Sequence, residues 1–93
     1  MLLYRLKKVN NSEDLKEAGF EWLLRYCDPD EDNLYGFYYI TDEEHEGIEL
    51  TGDAVEVTVV VIVHNRVFHE KAKAVVGKDG NLYITEDEFE RII

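Results

Sequence analysis

The run Ala54–Val63, AVEVTVVVIV, constrains the fold more than any other part of the chain. Its β-branched residues favour extended backbone, because a branched side chain packs well on a pleated surface. From Val59 to Val63 both alternating faces are apolar. A strand of that kind has to be covered on both sides, so it belongs in the middle of a sheet. The apolar stretch Val57–Val63 has seven residues, too few to cross a bilayer.

The rest of the chain supplies partners for that strand. Leu2–Val9 (LLYRLKKV) reads as a strand, with Leu3, Arg5 and Lys7 on one face and Leu2, Tyr4 and Leu6 on the other. NNSEDLKEAG follows as a short helix. Asn11 or Ser12 caps it, Glu13 and Asp14 suit the positive end of the helix dipole, and Gly19 closes it in a left-handed turn. Phe20–Cys27 (FEWLLRYC) fits either a helix or a strand. The alternation of Phe20, Trp22, Leu24 and Tyr26 favours the strand, which then forms a hairpin with Leu34–Thr41 (LYGFYYIT) across the loop DPDEDN. DEEHEG reads as a second acidic turn, IEL as a short strand and TGD as a turn. HNR turns the central strand into Val67–Val76, and GKDGN turns again into LYIT. Thr85 caps a closing helix, where Glu88 fits a capping box. The sum is a single α+β domain over residues 1–93: a mainly antiparallel, meander-like sheet of about five to seven strands with two short helices. Apolar residues make up 45% of the chain, ample for one core at this length.

Charge is distributed unevenly. The net charge is −11, and no Lys or Arg occurs between Tyr26 and Asn65. That stretch holds eleven of the 21 acids, leaving ten acids to balance ten bases elsewhere. Such a segment disfavours direct binding of nucleic acid or of an anionic membrane, and favours a basic partner, a cation or plain solubility.

Two loops invite comparison with a calcium-binding EF-hand. From Asp28, the first three alternate ligand positions are Asp28, Asp30 and Asp32, but the bidentate glutamate position is Tyr39. In GKDGNLYITEDEF, Asp79, Asn81 and Glu88 match, while Gly77 stands where the first aspartate is needed and Leu82 where the turn glycine is needed. Neither loop completes the motif, and no metal or other cofactor is expected. A calcium-binding module is the most distant of the readings.

Other chemistry finds little support. His45, His64 and His69 lack a complementary set of ligands in the sequence, and GKDGN lacks the spacing of a phosphate loop. Cys27 is the only cysteine, so neither an intramolecular disulfide nor a Cys-pair zinc site is available. A lone thiol and an opening MLLYRLKKV without a signal-peptide pattern are the grounds for expecting a soluble, cytoplasmic, non-enzymatic protein without membrane association.

NSEDLKEAGFEW, the aromatic-rich segment after it, and the closing DGNLYITEDEFERI together resemble the small acidic proteins encoded by phages and other mobile elements. The resemblance implies an inhibitor that imitates nucleic acid and occupies the basic groove of a host defence nuclease or another nucleic-acid-binding protein. The partner-binding candidates are Asp28, Asp30, Glu31 and Asp32 in one loop, Asp42, Glu43, Glu44 and Glu46 in the other, and Tyr35 as an aromatic anchor. The alternative is a small structural or accessory subunit that oligomerises, as a homodimer for instance, through its sheet edges.

Overall fold

The computed structural model describes residues 2–26, 28, 30–31, 34–64 and 66–93, with the side chains of Asp42 and Val63 left aside. Five strands occur among the described residues: β1 (Leu2–Lys8), β2 (Tyr38–Glu46), β3 (Leu50–Val63), β4 (Arg66–Gly77) and β5 (Leu82–Thr85). Helix α1 (Ser12–Glu17) and a 3-10 helix (Glu21–Arg25) lie between β1 and β2, and α2 (Glu86–Ile92) ends the chain. The strands close into a barrel in the order β1-β2-β3-β4-β5.

The α+β class holds, but the meander does not. β1 runs antiparallel to both β2 and β5, and β4 antiparallel to β3 and β5, whereas β2 and β3 are parallel. Four antiparallel pairings around a closed ring of five strands leave the fifth pair parallel, and two bulges shape the strands that meet there. Arg5 alone faces Thr41–Glu43 on β2, and the β3–β4 register slips between Leu50 and Ala54. Bulges bend and twist a strand, and here the later half of β3 comes alongside the start of β2 in the same direction. Only Tyr38↔Val59 and Tyr39↔Val60 pair across that seam.

Each bulge is stabilised by a threonine. Thr41 Oγ1 donates to the Arg5 carbonyl (2.9 Å) and accepts from the Glu43 amide (3.3 Å). Thr51 Oγ1 accepts from the Asp53 amide (3.1 Å) and donates toward the Val76 carbonyl (3.3 Å). Gly52 between them has φ +93°, a conformation that side chains disfavour. TGD is therefore a bulge inside β3 and not a turn between strands. DEEHEG is likewise no turn: residues 42–46 continue β2, and the chain turns at Gly47. Pairing with β1 overrides the poor intrinsic strand preference of the acids.

The segment after α1 also departs from expectation. Of the strand expected over Phe20–Cys27, residues 20–26 are described and are not extended. Asn11 caps α1 by accepting from the Asp14 amide, and the helix ends in a Schellman arrangement, Phe20 N–H to Leu15 O and Gly19 N–H to Lys16 O. The chain then tightens into the 3-10 helix through Leu23 N–H to Phe20 O and Tyr26 N–H to Leu23 O. Leu23 within the 3-10 helix is buried (2% exposed) and Tyr26, just past its end, is 78% exposed, so the period of two among the aromatics selects the wrong face. Cys27 itself lies outside the described residues. Leu34–Thr41 is a strand only from Tyr38 onward, because the chain leaves the extended region at Gly36, φ +88°.

Two apolar clusters explain why β3 is apolar on both faces. Val59 packs with Leu6, Ala72, Ala74, Ile84 and Ile92, while its neighbour Val60 packs with Val9, Leu15, Leu23, Leu34 and Tyr39. The first cluster draws on the strands and α2, the second on β2, β3 and the helical segment after β1.

The last three elements follow the sequence closely. Thr85 caps α2 by accepting from the Glu88 amide (3.2 Å). The Glu88 carboxylate does not complete the capping box. It accepts from the Lys73 amide (2.7 Å) and from Arg91 Nε, and Arg91 in turn donates to the Lys71 carbonyl (2.8 Å). Along β4, β5 pairs only with Val75 and Val76. The side chains of α2 thus satisfy the β4 edge where β5 has ended.

Candidate functional site

Strand pairing decides the fate of the carboxylates. The acidic β2 lies beside the basic β1, and the acidic β3 beside the basic β4. Glu43 illustrates the effect. Arg5 and Lys7 approach it at 3.5 and 3.7 Å, and His45 Nε2 stands 3.6 Å away. Burial alone raises its pKa, but Lys7, Arg5 and the His45 contact outweigh burial and hold the carboxyl below its ordinary value. Lys71 pairs with Glu56 (3.6 Å) and Lys78 with Glu49 (3.5 Å). The base-free stretch of the sequence is therefore partly neutralised from both flanks.

Among the described residues, Asp28, Asp30, Glu31, Glu44 and Glu46 are exposed and have no salt-bridge partner. Asp28 Oδ1 accepts from the Asp30 amide (2.9 Å), a turn that leaves both carboxylates in solvent. Asp32 lies outside the described residues, and Asp42 is placed on β2 by its backbone alone. Among the described residues, no hydrogen bond or ion pair joins the two predicted groups. The loop carrying Asp28, Asp30 and Glu31 springs from Leu23 and Leu34, both buried in the second cluster, and Glu46 sits opposite Leu2 at the far end of β2. Tyr35 packs half-buried against the second cluster.

Three aromatics are exposed among the described residues: Phe68 on β4, and Trp22 with Tyr26, which lie edge to face with ring centroids 6.3 Å apart. Trp22 and Tyr26 immediately precede the carboxylates of Asp28, Asp30 and Glu31. Outward aromatics beside unpaired charge are the composition of a protein-contact surface, where rings supply buried area and charges supply orientation. The sequence lists these rings, but which of them faces solvent depends on the 3-10 geometry.

A second feature is invisible in the sequence. Where β2 and β3 part, a cleft of about 400 Å³ opens, with Tyr4 and Phe89 stacked (4.6 Å between centroids) and Phe20 and Tyr39 stacked (4.7 Å) among its lining residues. Glu44 and Thr41 are its polar lining. Burial first, then the charges of Glu44, Glu86 and Glu90, push the Tyr4 phenol above its ordinary value.

The calcium-like loop at GKDGN is occupied by its own hydrogen bonds. Asp79 accepts from the Tyr83 hydroxyl (2.5 Å), the Asn81 amide (2.9 Å) and the Asn81 side chain (3.2 Å). These bonds hold its carboxyl below the ordinary range, the Tyr83 contact contributing most. Among the described residues, no group of three or more His, Cys, Asp or Glu is placed to hold a metal ion. No helix among them is long and apolar enough to cross a membrane. Set against protein-family models, curated proteins and solved structures, the chain matches none of them.

Proposed function

We propose that the protein is a non-enzymatic binding module that docks on a basic protein surface. The observation that carries this reading is the exposed Trp22–Tyr26 pair beside the unpaired carboxylates of Asp28, Asp30 and Glu31. The rings desolvate and anchor, and the carboxylates meet Lys and Arg on the partner. Glu44 and Glu46 add to a field set by a net charge of −11, which steers a cationic partner before contact. In its finer form, the partner surface is a groove that otherwise takes phosphates, so the protein acts as a nucleic-acid mimic and inhibits a nucleic-acid-binding protein such as a host defence nuclease.

The test is affinity capture from nuclease-treated host lysate, with a salt series and an added DNA duplex as competitor. The wild type is expected to retain a nucleic-acid-binding protein that duplex DNA displaces, with retention falling as salt shortens the screening length below about 8 Å. A variant carrying Trp22→Ala, Asp28→Asn, Asp30→Asn and Glu31→Gln is expected to lose it. Equal capture by both forms sinks the proposal.

A second reading, an accessory subunit pairing through sheet edges, draws support from β3, whose residues Leu50 and Ala54–Thr58 pair with β4 on one side only. A dimer that persists at high salt in sedimentation would distinguish it.

A further inference from the structure

β2 and β3 form the one parallel pair of the barrel, and it is joined by two residue pairs. Beyond them, Ile40, Thr41 and Glu44 on one side and Val61 and Ile62 on the other line the cleft and do not pair across it. The backbone edges that face each other there are offered to whatever enters. The molecule deals differently with another unfinished edge. Where β4 outruns β5, Glu88 takes the Lys73 amide and Arg91 the Lys71 carbonyl. Among the described residues, the one side-chain bond to backbone in the corresponding stretch of β2 beyond the Arg5 carbonyl contact is Thr41 with the Glu43 amide, inside the bulge.

The walls of the gap specify an occupant. Tyr4, Phe89, Phe20 and Tyr39 make them aromatic, which suits apolar side chains on one face of an entering strand. No Lys or Arg lines the cleft, whereas Glu44 does, and Glu86 and Glu90 act on Tyr4 from α2. That rim suits cationic side chains on the other face. A second copy of this chain would bring more carboxylates to the same rim, at a net charge of −11 per chain, and is disfavoured.

We propose that the β2–β3 cleft receives an extended segment of a partner protein with alternating apolar and basic residues, which adds to the barrel as a strand between β2 and β3. Main-chain hydrogen bonds to the open edges supply affinity, and alternate side chains supply specificity. The site is distinct from the Trp22–Tyr26 surface and stands or falls independently of it.

The probe is a short acetylated and amidated peptide of alternating Lys and Val, titrated into the full chain and followed by amide NMR shifts and hydrogen exchange. Two analogues carry N-methyl groups on every Lys or on every Val, removing the donors of one strand edge at a time while keeping charge and side chains. The parent peptide is expected to saturate with shifts confined to Ile40–Glu44, Val60–Ile62 and Phe89, and to slow amide exchange along the edges. Each analogue is expected to bind roughly tenfold more weakly, because each loses the bonds to one of the two edges, and Glu44→Gln with Glu86→Gln and Glu90→Gln is expected to weaken the parent by a similar factor at low salt. Equal binding of the parent and both analogues overturns strand addition and leaves charge attraction alone. Shifts centred on Trp22 and Tyr26 overturn the site while favouring the acidic surface. Absence of binding, or self-association that produces the same shifts without peptide, overturns the proposal outright.

Discussion

Leu23 and Tyr26 show how much a single backbone choice decides at the residue scale. Leu23 lies in the 3-10 helix and Tyr26 is the residue that ends it, yet Leu23 is buried among Val9, Leu15 and Leu34, and Tyr26 faces solvent. Leu23→Ala is expected to cost about 2–4 kcal/mol in chemical denaturation, because it opens a cavity in the second cluster. Tyr26→Ala is expected to change stability by less than about 0.5 kcal/mol, as a surface substitution does. Reversal of that order would mean that the segment is extended, with the aromatics inward. Gly77 is constrained in a different way. A Cβ there would lie 2.5 Å from Asp79 Oδ1 and 2.8 Å from the Tyr83 ring. Gly77→Ala should therefore displace the Asp79–Tyr83 hydrogen bond and destabilise the fold by about 1–3 kcal/mol. The glycine was legible as part of a turn; the reason that only glycine fits was not, since Tyr83 reaches it from the next strand.

At the scale of elements, α2 is a clamp on β4 as well as a cap on the barrel. Glu88 holds the Lys73 amide and Arg91, and these bonds, the Arg91 contact first, keep its carboxyl below the ordinary value of 4.5. A carboxyl whose folded pKa is lowered adds stability that is present above its unfolded value and is lost as pH falls through the folded one. Glu88→Gln is accordingly expected to lower stability by about 1–2 kcal/mol near neutral pH. The gap between variant and wild type should shrink on acidification below about pH 4.5, measured by thermal melts across a pH series. A gap that stays constant down to pH 2 would show that the charge of Glu88 has no part in the clamp. Thr85 was legible as the cap of α2 from its spacing to Glu88, although the Glu88 carboxylate does not complete the expected capping box. The second role of Glu88 was not, because Lys73 is brought to it by the tertiary fold.

For the whole molecule, the seam between β2 and β3 is the weak closure. Long antiparallel pairing joins β3 to β4 from Ala54 through Val63, whereas two pairs join β2 to β3. Native-state hydrogen exchange is expected to show Tyr38–Ile40 and Val61–Val63 opening at lower free energy toward the seam than the β3–β4 pairs from Ala54 to Val59, which should exchange near the global limit. Uniform protection around the barrel would refute a weak seam. Charge is also a property of this scale. Sequence segregates eleven acids between Tyr26 and Asn65, and the barrel sets β1 and β4, with Arg5, Lys7 and Lys71, against them. Glu43 is consumed in this way and Glu44, one residue on, is not.

Local patterning by itself determined the α+β class, the burial of Val59 and Val60 on opposite faces of β3, the caps at Asn11 and Thr85, the turn at GKDGN and the acidic balance. Each of these is set by neighbours within a few residues, through backbone preference, period or capping. Only the tertiary structure decided the parallel seam, the conversion of TGD and DEEHEG from turns into strand, the exposure of Trp22 and Tyr26, and the carboxylates left unpaired. Those depend on which strand lies beside which, and register between distant segments is a sum over the whole barrel that no single stretch of sequence carries.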